Sequence, residues 1–201
     1  MNNPTAIAQW GPQFEDLLDA ALATFSSQWR LPDAPARIAD SPDHHLGWRC
    51  NRKRMALVAE LAVNSAAIRV NRSLFLRLIV HDLNPSFNRF LIEPIASALG
   101  VADVHDALIH YVENGTIVEQ FGAVRAWYSA QPGLHYPTTQ AHDSGDPSLG
   151  SSLAYSDWMA LWPRYEEACR RAVRSCRDPA VRAQLVDEMN AFSEVRKIGN
   201  E

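Results

Sequence analysis

Apolar positions along this chain recur roughly every three to four residues rather than every second one, the spacing of a helix face. Near the start, Phe14, Leu17, Leu18, Ala21, Phe25 and Trp29 share one such face. Asn51–Ala67 repeats the pattern with Met55, Val58, Leu61 and Ala62. Asn71 is placed to cap the next helix, through Leu74, Phe75, Leu78 and Ile79, because a short polar side chain accepts from first-turn N–H groups. Asn84-Pro85 joins a cap to a first-turn proline and opens a helix that ends at Gly100. Inside that helix Pro94 removes a backbone donor and crowds the preceding turn, which predicts a kink. Val101–Val112 is again amphipathic and closes at Asn114-Gly115. Thr116 and Glu119 then have the spacing of a capping box ahead of Phe121, Val124 and Tyr128. The pattern returns with Trp158, Trp162, Tyr165, Cys169, Val173 and Cys176, where Pro163 must kink the helix or begin its second half. Asp178-Pro179 opens a last helix with Val181, Leu185, Met189 and Phe192 as its stripe. No segment alternates with period two over a useful length, so the expected fold is all-α.

Two stretches lack the pattern. Residues 31–48 read as a linker between an N-terminal helix (1–30) and a helical body (49–197). Residues 131–152 are rich in Gly, Pro, Ser and Asp and longer than most connections in compact domains, so they read as a surface loop interrupting that body. The whole chain, 1–201, reads as a single helical domain.

Three segments share one layout of cap, turn residues and apolar helix, beginning at Asn84, Asn114 and Arg177. The first two starts are 30 residues apart and the third lies about twice as far again. Stacked helix pairs show such periods because each pair buries its apolar face only against its neighbours. With Pro94 in a helix ending at Gly100, the small-residue helix Gly122–Tyr128 and the DPAVR turn at Asp178–Arg182, the chain resembles HEAT-repeat proteins. Over Asn84–Ala130 it is similar to bacterial HEAT-like proteins of unassigned function, and the resemblance extends roughly from Asn71 to Phe192. It implies a short α-solenoid, a right-handed stack of antiparallel helix pairs that binds partners along a helical face. It implies no chemistry.

Composition supports that picture. Of 201 residues 47% are hydrophobic, enough for a sizeable core, and the net charge of −4 argues against a surface devoted to nucleic acid or acidic membranes. The N-terminus has no basic cluster leading into an apolar run, and the most apolar window, Leu74–Val80, contains Arg77 and is too short to span a bilayer. A soluble, cytoplasmic protein is expected. Cys50, Cys169 and Cys176 have no zinc-like spacing. Cys169 and Cys176 lie two turns apart on one helix, roughly 10 Å by rise, too far to pair, so reduced thiols in a core are expected.

Three sets of residues invite a chemical reading. LRLIVHDL, with His81-Asp82, resembles the metal-binding dyad of HD-type phosphohydrolases, and His44 or His45 would supply the earlier histidine. Imidazole and carboxylate together hold a divalent ion that activates water. However, Leu-Asn-Pro follows where that family has a glycine-containing turn, and no later helix offers a clear second aspartate. His-Asp also recurs at His105-Asp106 and His142-Asp143, so the dyad reads first as a helix end, and neither metal nor cofactor is expected. The second set is a binding surface. Adjacent Trp127 and Tyr128 cannot both face inward from one helix, so one lies at the surface beside the loop residues His135, Tyr136, His142 and Asp143. The third is basic: Arg170, Arg171, Arg174 and Arg177 lie opposite the aromatic stripe, with Arg49, Arg52, Lys53, Arg54, Arg69 and Arg72 elsewhere. Such a run is more often a solvated face than a groove for a nucleic-acid backbone. The sequence therefore reads as a non-catalytic, protein-binding HEAT-like module, with a nucleic-acid backbone binder and an HD-type hydrolase as the alternatives.

Overall fold

A computed structural model describes residues 4–25, 29–35, 42–82, 84–133 and 135–198. The chain is 80% helix, with no strand among the described residues. The helices are α1 (Pro4–Ala23), α2 (Pro42–Leu61), α3 (Ser65–Val70), α4 (Arg72–His81), α5 (Pro85–Leu99), α6 (Val101–Asn114), α7 (Ile117–Ser129), α8 (Thr139–Ser144), α9 (Leu149–Ser175) and α10 (Pro179–Ile198). No helix among the described residues is long and apolar enough to cross a membrane.

Packing follows a simple rule once α3–α4 is taken as one unit and the short α8 is set aside. Each helix touches the helix next but one, and most also touch their neighbour in the chain. One row runs α1, α4, α6, α9, and the other runs α2, α5, α7, α10. A diagonal contact between α4 and α7 ties the rows together in the middle.

That diagonal depends on one residue. A Cβ at Gly122 would lie 1.6 Å from the Val80 carbonyl oxygen and 2.5 Å from its carbonyl carbon. Glycine inside a helix costs about 1 kcal/mol relative to alanine, so the position is set by the close approach of two backbones. The flanking Ala123 and Ala126 are small and fully buried, in keeping with tight packing of α7.

Several expected elements are present. Phe14, Leu17, Leu18 and Ala21 are buried, with Phe25 and Trp29 packed against the core. Thr116 Oγ1 accepts from the Glu119 N–H, and Glu119 Oε2 accepts from the Thr116 N–H at 2.9 Å, completing the capping box. Asp178 Oδ1 accepts from the Ala180 and Val181 N–H groups at the start of α10. Gly100, at φ 102°, separates α5 from α6. Both α5 and α9 run unbroken through their internal prolines, Pro94 and Pro163. Phe192 lies outside the residues whose side chains are described.

Other expectations need correction. Met55 is 55% exposed and Ala62 also faces outward. The inward stripe of α2 is Cys50, Lys53, Arg54, Leu57 and Leu61, and its two cations hide it from a search for apolar periodicity. The Asn71 side chain does not cap α4, because Nδ2 donates back to the Ala67 carbonyl of α3. The 31–48 linker is shorter than expected, since α2 begins at Pro42. The 131–152 segment is not structureless. Thr138 caps α8, Gly145 at φ 72° ends it, and α9 starts at Leu149. The α8 helix buries nothing, so it rests on local caps and leaves no apolar pattern to detect.

Among the described residues, buried apolar side chains form two clusters. The main one spans α1 to α9. A second, of Phe121, Cys176, Val181 and Leu185, fastens α10 to α7 and the end of α9, and Met189 packs against both.

Replacing Gly122 with alanine must move two backbones apart. Urea unfolding of G122A should show a loss of about 3 kcal/mol with the unfolding slope unchanged. A loss below about 0.5 kcal/mol, the range of ordinary surface substitutions, would show that α4 and α7 do not touch there.

Candidate functional site

Three charged residues of α2, Arg49, Lys53 and Arg54, are aimed into the molecule, while Arg52 is exposed. Arg49 and Lys53, one turn apart, face Glu15 and Asp19 of α1, also one turn apart. Arg49 donates Nε and Nη2 to the two Glu15 oxygens at 2.7 and 2.6 Å. Lys53 Nζ donates to Glu15 at 2.8 Å and to Asp19 at 2.6 Å. Arg49, and then Lys53, hold the Glu15 carboxyl down at about 2 despite its partial burial. Burial, with the nearby Glu15, pushes the Cys50 thiol up to about 11, which keeps it protonated near neutral pH.

Deeper in, Arg54 makes a two-pronged bond to Asp82, Nε to Oδ2 at 2.9 Å and Nη2 to Oδ1 at 2.5 Å. Its guanidinium carbon lies 5.1 Å from the centre of the Phe14 ring, and Asp82 also accepts from the Asn84 N–H at 3.0 Å. Burial raises the Asp82 carboxyl above its ordinary value, and Arg54 opposes that rise.

These contacts decide where His45, His81 and Asp82 stand. Both Asp82 oxygens are engaged by a guanidinium. His81 Nδ1 lies 2.9 Å from the Arg77 carbonyl one turn back in its own helix. His45 stacks on Trp48 and lies 3.2 Å from Arg49, at the α1–α2 ion pairs. The three do not converge, and no group of three or more His, Cys, Asp or Glu among the described residues could hold a metal ion.

The expected binding surface divides in two. Trp127 is 1% exposed, stacked on Tyr165 with ring centres 4.1 Å apart and planes within 3°, and flanked by Trp158 and His105. It is a core residue. Burial lowers the His105 imidazole below its usual value. Tyr128 is the outward member of the pair, 47% exposed. In the segment that follows, His135, His142 and Asp143 are exposed and Tyr136 is half-buried. Tyr136 meets the His142 ring edge-on at 5.0 Å, and His142 lies 3.5 Å from Asp143. The segment is fastened to the start of α9: the Ser148 N–H donates to the His135 carbonyl at 2.7 Å, and the His135 N–H donates to Ser151 Oγ at 3.0 Å. Two large apolar side chains escaped notice in the sequence, Leu149 and Leu153, one turn apart on α9 and 75% and 55% exposed. Their only signal was an apolar pair inside a polar stretch.

The arginines of α9 are matched by carboxylates. Arg164 pairs with Asp106, Arg171 with Glu113, Arg170 with Glu166 and Arg174 with Glu167. Beside Arg170 and Arg174, α9 and α10 flank an open groove of about 460 Å³ lined by these two arginines, Glu166 and apolar side chains that include Val173, Val186 and Met189.

Two measurements test the electrostatics. The Glu15 carboxyl is depressed from 4.5 to about 2, so its stabilisation is complete above pH 4.5 and disappears as pH falls toward 2. The stability difference between wild type and E15Q should be about 2 kcal/mol near neutrality and shrink toward zero at the acid end. A difference independent of pH would show that the ion pairs do not supply it. For the buried pair, D82L removes the carboxylate that the Arg54 guanidinium grips and should lose about 3–5 kcal/mol in urea unfolding, while R54M/D82L should lose much less. Equal losses in the two variants would assign the effect to packing.

No family model matches the chain, and neither the curated proteins nor the solved structures hold a match to it.

Proposed function

We propose that this chain is a non-catalytic HEAT-like α-solenoid module that binds another protein through the edge where α7 ends and α9 begins. The observation that carries this reading is the exposure of Leu149, Leu153 and Tyr128 around an ordered polar segment. Exposed apolar and aromatic side chains surrounded by polar groups are the ingredients of an interface core and its rim. His135, Tyr136, His142 and Asp143 are the rim residues here.

The helical-repeat part rests on packing. Contacts between each helix and the next but one, in two parallel rows, are what stacked pairs make when each buries its face against its neighbours. The stack is right-handed on this reading, as in other HEAT-like proteins. Three buried, unpaired thiols suit a reducing compartment such as the cytoplasm. Nucleic acid is the weaker choice, because the arginines of α9 that would face a phosphate backbone are already held by carboxylates and the net charge is −4. The HD-type hydrolase is weaker still, since Arg54 occupies the carboxylate that a metal would need.

The test is a triple variant, Y128A/L149D/L153D, of three exposed side chains. It should unfold within a few degrees of wild type yet recover at least tenfold less of the wild-type partner from a cell lysate. Unchanged recovery would remove this edge from the interface. Duplex DNA binding that weakens steeply with salt and survives in the variant would instead favour the nucleic-acid reading.

A further inference from the structure

The segment that joins α7 to the body of α9 is built differently from the rest of the chain. No described residue from Gln131 to Asp157 is buried. The segment is held instead by local caps, by the bonds from His135 to Ser148 and Ser151, and by Tyr155, which packs half-buried against the main core. Along the first turns of α9 the exposed positions are Leu149, Gly150, Leu153, Ser156, Asp157 and Ala160. At helical spacing these fall on one face, turned away from Trp158 and Trp162. Gly150, Ser156 and Ala160 are small, so the two leucines, 75% and 55% exposed, are what that face presents.

The charge on this edge has one sign. Between Arg125 and Arg164 there is no Lys or Arg, whereas Asp143, Asp146 and Asp157 are all exposed. Asp146 precedes Leu149 by three residues and Asp157 follows Leu153 by one turn, so carboxylates stand at both ends of the apolar pair. The cations at the borders are matched: Arg164 pairs with Asp106, and Arg89, beside Gly133, pairs with Glu93. Arg125, half-buried about a turn before Tyr128 on α7, still leaves the aspartates in excess when the histidines are neutral.

That excess selects among occupants. A phosphate backbone or an anionic lipid surface would be repelled. A second copy joined through the same face would bring two sets of aspartates together. A partner with apolar side chains between two cations gains from both features: opposite charges at the rim speed encounter and fix register, while the covered leucines hold the complex. Resting on the protein-binding reading of this edge, we infer that the partner presents a basic amphipathic helix. Its apolar stripe lies on Leu149 and Leu153, with a Lys or Arg toward each of Asp146 and Asp157. Leu149 to Asp157 spans about 12 Å by helical rise, so roughly three turns of the partner cover it.

Three fluorescein-labelled helical peptides of about five turns serve as probes. One carries a leucine stripe flanked by lysines, the second the same stripe flanked by glutamates, and the third the lysines with serines replacing the leucines. Wild type should bind the first about tenfold more tightly than either of the others, and raised salt should narrow its lead over the second. D146N/D157N should weaken the first peptide roughly tenfold. D33N/D187N, which removes the same charge from exposed positions elsewhere, should leave it unchanged. L149S/L153S should lower the first peptide to the level of the third, and thermal unfolding within a few degrees of wild type would verify that each variant folds. Equal affinity for the lysine and glutamate peptides, or for the lysine peptides with and without leucines, overturns the inference. So does self-association of wild type that L149S/L153S abolishes, because a second copy then covers the face. Equal binding of both leucine peptides that still needs Leu149 and Leu153 sinks the charge assignment alone, whereas partner recovery by Y128A/L149D/L153D sinks the edge itself.

Discussion

The contact on which this molecule turns is a backbone touching a backbone. At Gly122 helix α7 meets the Val80 carbonyl of α4 with no side chain between them, and α4 also carries contacts to α1, α5 and α6. A two-row stack fixes each helix only to its immediate surroundings, so the spacing between rows would otherwise be left to side-chain size. The diagonal removes that freedom. With α4 and α7 set in contact, α6 and α5 have defined positions on either side, and the Trp127–Tyr165 stack follows because α7 presents Trp127 at one depth only.

A different kind of constraint operates at the N-terminal end, where apolar packing is supplemented by charge. Arg54 and Asp82 are both buried, and a fork-shaped bond between guanidinium and carboxylate accepts only a narrow range of orientations. Apolar packing alone would tolerate sliding of α2, whereas this pair does not. Arg49 and Lys53 extend the same logic to α1, where two cations one turn apart match two carboxylates one turn apart. Removing two charges from water is expensive, and replacing such a pair with apolar residues often raises stability. The pair is thus better understood as fixing register than as adding strength.

This use of charge also marks where the sequence stops being readable. Local signals, such as the Thr116–Glu119 box, the Asp178 cap and the apolar face of α1, are written in neighbouring residues and appear in the fold as expected. The inward face of α2 is not, because Lys53 and Arg54 read as solvent-facing until Glu15, Asp19 and Asp82 are known to lie opposite. Spacing predicted that Trp127 and Tyr128 would part company, but which one turns inward is decided by Tyr165, 38 positions after Trp127 on another helix. The aromatic stripe of α9 was legible as buried. Whether a buried stripe is covered on every side depends on the angle at which α10 leaves Asp178-Pro179, and no local pattern records that angle.

The two-cluster interior has a further consequence, for cooperativity. Among the described side chains of α10, Val181 and Leu185 lie in the small cluster with Phe121 and Cys176 and Met189 packs against both clusters, while the helices before it share one continuous core. Detaching α10 exposes less apolar surface than melting the whole chain, so its opening is expected to cost less free energy than global unfolding.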